Sequence, residues 1–529
     1  MTHAHDAHPE RTLAAAACAL TWETASPQAQ ASIKRLFLDW VGSALAGASS
    51  EPVRLLEEVL EGDRGVTDGA PIPGPSGRTA TLVTTLAAAS PLTASLVNAA
   101  ASHVVEMDDL HNASIYHPAT CVFPALLAAA EAAAATPTRF LAAAVAGYEV
   151  SIRIGEALGP EHYVYFHTTG TAGTFGAAVA VGHLLGLTEQ QMLWAMGNAA
   201  TQAAGLWQFL VEGSMSKQLH TAKAAYNGAL AAYLAQIGFT GPEHALCGER
   251  GLLPATTPAG ALLGGNGYSE ALKREQKERL LAGIRRGDHA SNGGVSSARE
   301  EATGAAFADF KTPTVSIKYH ASCRHTHPPV DALLAIMREH HLQADDLRAI
   351  RAHLYTGGYE RLKDVIPSTP WAAKFNVPFC MAQAALLGHL TLDAFSEKSL
   401  TDPRIQQLME RVTLLVDKSL DEVYPRFWPA RVEVETTGGD TYEYRIDTPK
   451  GDPENPVTDE ELDAKFLSLT SGPLPGDGPE RLLLKLRDLE SLADMTQLFA
   501  GVGGAVSPPR GAARPARLSS GDRGRGGRA

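Results

Sequence analysis

The stretch His103-Val-Val-Glu106-Met-Asp108-Asp109-Leu-His111-Asn-Ala-Ser-Ile-Tyr-His117-Pro118 gathers carboxylates and imidazoles in one short span, then runs into the apolar residues Val122 to Ala130. Such groups are costly to bury unless they pair, hold a ligand or move protons. The structural alternative is capping, since Asp108 or Asp109 could satisfy the free N–H groups of a nearby helix start. Two basic constellations follow, Lys217-Gln-Leu-His220 and Lys318-Tyr-His320-Ala-Ser-Cys323-Arg324-His325-Thr-His327-Pro328. Together the three predict a pocket for a small anion with proton-transfer groups around it.

Each constellation has its own chemistry. Lys217 falls in the first turn of a helix, where the helix dipole disfavours a cation, so a carboxylate is expected to hold it there. Arg324 offers a planar fork to a substrate carboxylate, and His325 and His327 suit acid–base work or anion binding. Asp108, Asp109 and His111 are of types that ligate divalent metals, but no HExxH or comparable spacing accompanies them, so the site is expected to be free of metal. His167-Thr-Thr-Gly170-Thr-Ala-Gly173-Thr-Phe-Gly176 has the look of a phosphate loop without its Gly-x-Gly spacing, its lysine or a preceding strand. Its glycines are read as allowing close helix packing, and no nucleotide cofactor is expected.

The elements that position these groups are mostly helical. The chain of 529 residues is 45% hydrophobic but only 6% aromatic, a composition that favours closely packed Ala-rich helices. Ser26-Pro27 reads as a helix start, with Ile33, Leu36, Phe37, Trp40 and Val41 on one buried face. Segments 80–101, 119–135, 138–158, 171–186, 188–204 and 217–236 read as further helices, the fifth opened by the Thr188-Glu-Gln-Gln191 capping box. Residues 256–312 read as a polar connector. Period-2 alternation then marks strands at Arg348 to Tyr355, Arg411 to Val416, Arg431 to Thr436 and Tyr442 to Ile446, the last two joined by a Thr437-Gly-Gly-Asp440 hairpin turn. Helices at 328–340, 378–390 and 403–410 lie between them, and Thr458-Asp-Glu-Glu461 opens a return to helix.

The expected fold is therefore mainly α: a large helical domain over 12–275, closed by residues 455–500, with a smaller α+β lid domain inserted over 313–450. The Gly, Pro and Arg-rich residues 501–529 are expected to be disordered. A net charge of −13 without a basic stripe argues against nucleic acid. The five scattered cysteines form no CxxC pair and hence no thiolate metal site or cluster. With no signal peptide and no long uncharged apolar segment, a cytoplasmic protein without a membrane span is expected.

Glu106-Met-Asp-Asp-Leu-His111 with His117-Pro118, Gly147-Tyr-Glu-Val150, His167 to Gly176, Gly213-Ser-Met-Ser-Lys-Gln-Leu-His220 and Cys323-Arg-His-Thr-His-Pro328 resemble, in order, motifs of the MmgE/PrpD family. That family contains 2-methylcitrate dehydratase, cis-aconitate decarboxylase and epimerases of amino-dicarboxylates. The resemblance implies a homodimer and a cofactor-free, metal-free site between a helical domain and a lid. It implies Asp109, His117, Lys217 and His327 as catalytic groups, and Glu106, His111, His220, Cys323, Arg324 and His325 as contacts to a small di- or tricarboxylate. Cys323 stands where the decarboxylase branch offers a histidine, and Leu110 where many relatives carry a threonine. The expected reaction is α-proton abstraction followed by β-elimination of water. Epimerisation of a substrate such as iminodisuccinate, cis-aconitate-type decarboxylation and carboxylate binding without catalysis are the alternatives.

Overall fold

The computed structural model describes residues 8–63, 79–256, 270–284 and 307–503. Ser26 caps α1 (Pro27–Gly47), its Oγ accepting the Ala29 N–H at 3.1 Å. The site is framed by α2 (Pro91–Val104), α3 (Ala119–Ala133), α4 (Pro137–His162), α5 (Thr168–Leu184) and α6 (Ser216–Gln236). These helices approach closely because their contact positions are Gly and Ala. A Cβ on Gly173 would stand 2.5 Å from the Cys121 Sγ, and one on Gly147 would stand 2.8 Å from the Gly176 carbonyl oxygen. The glycines after His167 thus serve packing between helices, as their spacing indicated.

The helix expected over 80–101 begins only at Pro91. Ala80–Thr81 and Ala88–Ala89 pair as a short antiparallel hairpin, and the backbone reverses through Leu86 at φ +55°. Pro91 suits a first helical position because its missing N–H has no partner to lose there. The connector includes a helix at Glu270–Leu281. Residues 257–269 and 285–306, and the tail beyond 503 expected to be disordered, lie outside the described residues.

A second hydrophobic core forms around α7 (His327–Glu339), β1 (Leu347–Leu354), α8 (Thr356–Leu362), α9 (Val377–Leu387), β2 (Val412–Val416), β3 (Ala430–Thr436) and β4 (Thr441–Ile446), the numbering leaving aside strands of two residues. The sheet runs β2-β1-β3-β4, with β1 parallel to β2 and the other neighbours antiparallel. Alternation decides which face is buried: Val432 and Val434 of β3 join Leu333 and Ile336 of α7 in this core. Gly439, at φ +95°, supplies the left-handed residue of the β3–β4 turn. The chain then returns to the helical core through α10 (Asp459–Thr470), capped by Thr458 and Glu461, whose Phe466 packs in the same core as Ile33 and Phe37. Leu110–His111 pairs antiparallel with Val315–Ser316. That short pairing brings the acidic motif beside Lys318, about 200 residues downstream.

Candidate functional site

Helix ends gather the titratable groups. His103 sits in the last turn of α2, while His117, His167 and His325 precede α3, α5 and α7, and Lys217 opens α6. Ring centroids of His103 lie 5.0 Å from His117 and 5.7 Å from His167, and those of His167 and His220 are 5.5 Å apart. Several helix N-termini therefore converge on one buried cluster of side chains, and their free N–H groups add partial positive charge to it.

A buried carboxylate organises the cations. Glu106 holds φ +58°, a conformation that a non-glycine residue adopts at a cost. Its Oε1 accepts from Lys217 Nζ, and its Oε2 accepts from Lys318 Nζ at 3.1 Å. Burial alone would raise its pKa, but Lys217 and Lys318 hold the Glu106 carboxyl well below the usual carboxylate range. Lys217 is thus held in its first turn by Glu106, where the sequence suggested a bound carboxylate. Lys374, also buried, donates to the Val105 carbonyl at 2.6 Å, and burial brings its ammonium down to about 8. Among the described residues, the carboxylates that Lys217, Lys318 and Lys374 face here are Glu106 and Asp108, and the neighbouring Lys465–Asp39 pair is neutral. An excess of buried positive charge calls for an anion.

The imidazole pair is equally specific. His117 Nδ1 lies 2.8 Å from Asp108 Oδ2 and 2.6 Å from the Asp109 carbonyl oxygen. Both are acceptors, so Nδ1 carries the proton and Nε2 is left with the lone pair. Asp108 Oδ2 is also 3.0 Å from His103 Nδ1. Burial lowers the pKa of both imidazoles, that of His103 to about 4, so His117 is neutral near pH 7. Lys318 and the two imidazoles hold the Asp108 carboxyl well below its usual range against the effect of burial. The ligand atoms of His103, Asp108 and His117 also lie within 4.8 Å of one another, close enough to hold a metal ion.

Of the residues expected from sequence, Glu106, His117, Lys217, His220, Cys323 and His325 come together here. His325 Nδ1 meets the Tyr355 hydroxyl, its ring stacks on Trp428 at 4.5 Å, and its Nε2 is buried without a partner. The other four are occupied. Asp109 accepts the Ala119 N–H at 3.0 Å and the Tyr148 hydroxyl at 2.8 Å, so it caps α3, and the adjacent Asp108 faces the imidazoles in its place. His111 bonds Ser114 Oγ at 2.8 Å and Thr314 Oγ1 at 3.1 Å, which spends both nitrogens on the joint with Val315. Arg324 is no free fork: it meets Asp452 Oδ1 and donates to the Lys450 carbonyl at 3.1 Å. His327 takes a 3.1 Å bond from Arg324 Nη1 and reaches the Ser322 carbonyl at 3.2 Å, so its nitrogens are spent as well.

Sequence reasoning gave His103, His167 and Lys318 no role of their own and read Asp108 only as a helix cap or metal ligand, although all four lie inside the motifs that drew attention. It missed Lys374 altogether. A lone lysine in Trp371-Ala-Ala-Lys-Phe375 was the available signal, since an apolar setting shifts an ammonium or demands a partner.

Residues 11–261 match the family model of the MmgE/PrpD N-terminal domain, and residues 320–490 match that of the MmgE/PrpD C-terminal domain. A cis-aconitate decarboxylase-like protein of Aspergillus oryzae is 28% identical over 440 residues, covering 79% of this chain and 83% of the relative. Cis-aconitate decarboxylase of Aspergillus terreus is 26% identical over 79% of this chain and 82% of its own length. The Homo sapiens enzyme of that name is 25% identical over 79% and 80%.

Proposed function

Because the chain belongs to the MmgE/PrpD family, we propose that its enzymatic action on a small carboxylate is a lyase reaction in which His117 handles the proton. The carrying observation is the union of a neutral His117, backed by Asp108, with the cation-rich wall of Lys217, Lys318 and Lys374. The lysines hold the carboxylate next to the reacting carbon and stabilise negative charge developing on it. His117 Nε2 takes the α-proton, the C–H electron pair becomes a C=C bond, and the β-hydroxyl leaves. Lys374, whose ammonium burial brings down to about 8, protonates that hydroxyl so that it departs as water. A neutral base favours this dehydration.

The relatives favour a second bond cleavage, loss of CO2 from a substrate of the cis-aconitate type. CO2 departs, the C–C electron pair moves into the allylic system, and the Lys374 ammonium delivers a proton to carbon. Incubation of the full chain with 2-methylcitrate and cis-aconitate separates the two. New ultraviolet absorbance from the hydroxy acid supports dehydration, and CO2 release from cis-aconitate supports decarboxylation. Deuterium wash-in without either product would point to epimerisation and sink both lyase readings.

The site lies where the helical core meets the sheet-containing core, since Lys217 comes from one and Cys323, His325 and Lys374 from the other. A lid-like closure of the sheet-containing part over the bound anion, and action as a homodimer, complete the reading.

A further inference from the structure

Arg361, in α8, projects toward the helical core, where its guanidinium carbon lies 4.5 Å from the Tyr163 ring centroid and 4.8 Å from that of Trp207. Those two rings meet edge to face at 4.8 Å and belong to the end of α4 and the segment before Gln208. Trp207 in turn lies 4.9 Å from His167, and His167 lies 6.3 Å from His117, so the guanidinium stands along a line of rings leading to the proposed base. Among the described residues Arg361 makes no hydrogen bond and has no carboxylate partner, and its Nε is buried without an acceptor. Arg361 is partly buried, whereas the fully buried cations at the site each have an oxygen: Lys217 and Lys318 have Glu106, Lys374 has Val105, and Arg324 has Asp452.

Aromatic faces hold a guanidinium by its plane and leave its N–H edge for an acceptor. Among the described residues, the edge of Arg361 is a cationic fork that no protein group uses. Its field also reaches the pocket, lowering the affinity of His325 for a proton and opposing the effect of burial on Tyr163, Tyr355 and Tyr424.

We infer that Arg361, clamped by Tyr163 and Trp207, binds a second carboxylate of the substrate, remote from the one held by the lysines. This rests on the reading of the site as a carboxylate pocket and adds which residue takes the carboxylate that the lysines do not. The fork that sequence assigned to Arg324 is thus supplied from a different element.

The test is calorimetric titration of the full chain and its variants with tricarballylate, glutarate and butyrate, which carry three, two and one carboxylates. Wild-type affinity should fall as carboxylates are removed. Arg361→Gln should weaken tricarballylate and glutarate by about 10- to 100-fold while leaving butyrate little changed, and Arg361→Lys should recover part of the loss. A purely structural stacking role would weaken all three ligands alike. That outcome overturns the inference, as does unchanged affinity in Arg361→Gln or failure of the wild type to bind any of the three. Should Arg361→Gln not fold, an Arg361→Lys variant that still binds multivalent ligands as the wild type does would also count against a bidentate fork. If the wild type binds the acids as expected but turns over no substrate, the lyase reading fails while the role of Arg361 stands.

Discussion

His117 Nδ1 and Asp108 Oδ2 are 2.8 Å apart in a buried setting, and this contact, with the Asp109 carbonyl on the same nitrogen, directs the lone pair of Nε2 away from both acceptors. A base fixed in this way depends on the carboxylate to stabilise the imidazolium that forms once it takes a proton. Asp108→Asn keeps the shape and removes the charge, and it should lower kcat by about 10²- to 10⁴-fold with a smaller change in KM. Steady-state kinetics on the preferred substrate checks this, and a change confined to KM would reassign Asp108 to binding.

The pH profile follows from two groups. His117 must be neutral, and burial places its titration below the ordinary 6.5, so the acid limb of kcat should lie below that value. Lys374 must be protonated and is held at about 8, so activity should fall above that pH. Lys374→Met should lower turnover and abolish the alkaline limb. An unchanged limb in that variant would assign the descending titration to another group.

Much of this arrangement was legible before any coordinates. The cap at Ser26-Pro27, the boxes at Thr188 and Thr458, and the alternation in β1 to β4 are local signals, and local interactions realise them. The Ala-rich run at 80–90 misled because alanine fits helix and hairpin alike, and only Pro91 and the reversal at Leu86 decide it. Within the site, the motifs were visible but the orientation of neighbours was not. Asp108 and Asp109 are adjacent, yet only distant partners such as Tyr148 and Lys318 determine which one serves the imidazoles. Arg324 has the type and setting of a substrate fork, and its capture by Asp452 depends on a contact across 128 residues.

Glu106 holds two buried lysines together. Glu106→Gln would leave Lys217 and Lys318 uncompensated, and breaking such a buried pair costs roughly 3–5 kcal/mol. Because its folded-state titration lies below the unfolded 4.5, the wild-type carboxylate contributes stability above that pH, and the contribution is lost as pH falls toward the folded value. Urea unfolding from pH 7 down to pH 3 should therefore show a shallower pH dependence in Glu106→Gln. Parallel curves would mean that the carboxylate is not tied to the lysines as described.

Metal dependence has a definite expectation. For His103, Asp108 and His117 to ligate an ion, each histidine must offer a lone pair, but His117 Nδ1 faces two acceptors and so carries its proton, and Lys318 lies 3.8 Å from Asp108 Oδ1. Activity should survive dialysis against a chelator. Loss that returns on adding Zn²⁺ or Mn²⁺ would make these three residues ligands.

The most direct test of the account is proton NMR of cis-aconitate and 2-methylcitrate incubated in D₂O with the wild-type chain and with His117→Ala. The account requires that the wild type convert at least one of them, with solvent deuterium appearing at carbon in the product if CO2 is lost, or in recovered substrate if dehydration reverses. It also requires that His117→Ala lose about 10²-fold or more of that turnover while still binding the acid. Conversion at an undiminished rate by His117→Ala, or conversion of neither acid by the wild type, with or without deuterium exchange, would contradict it.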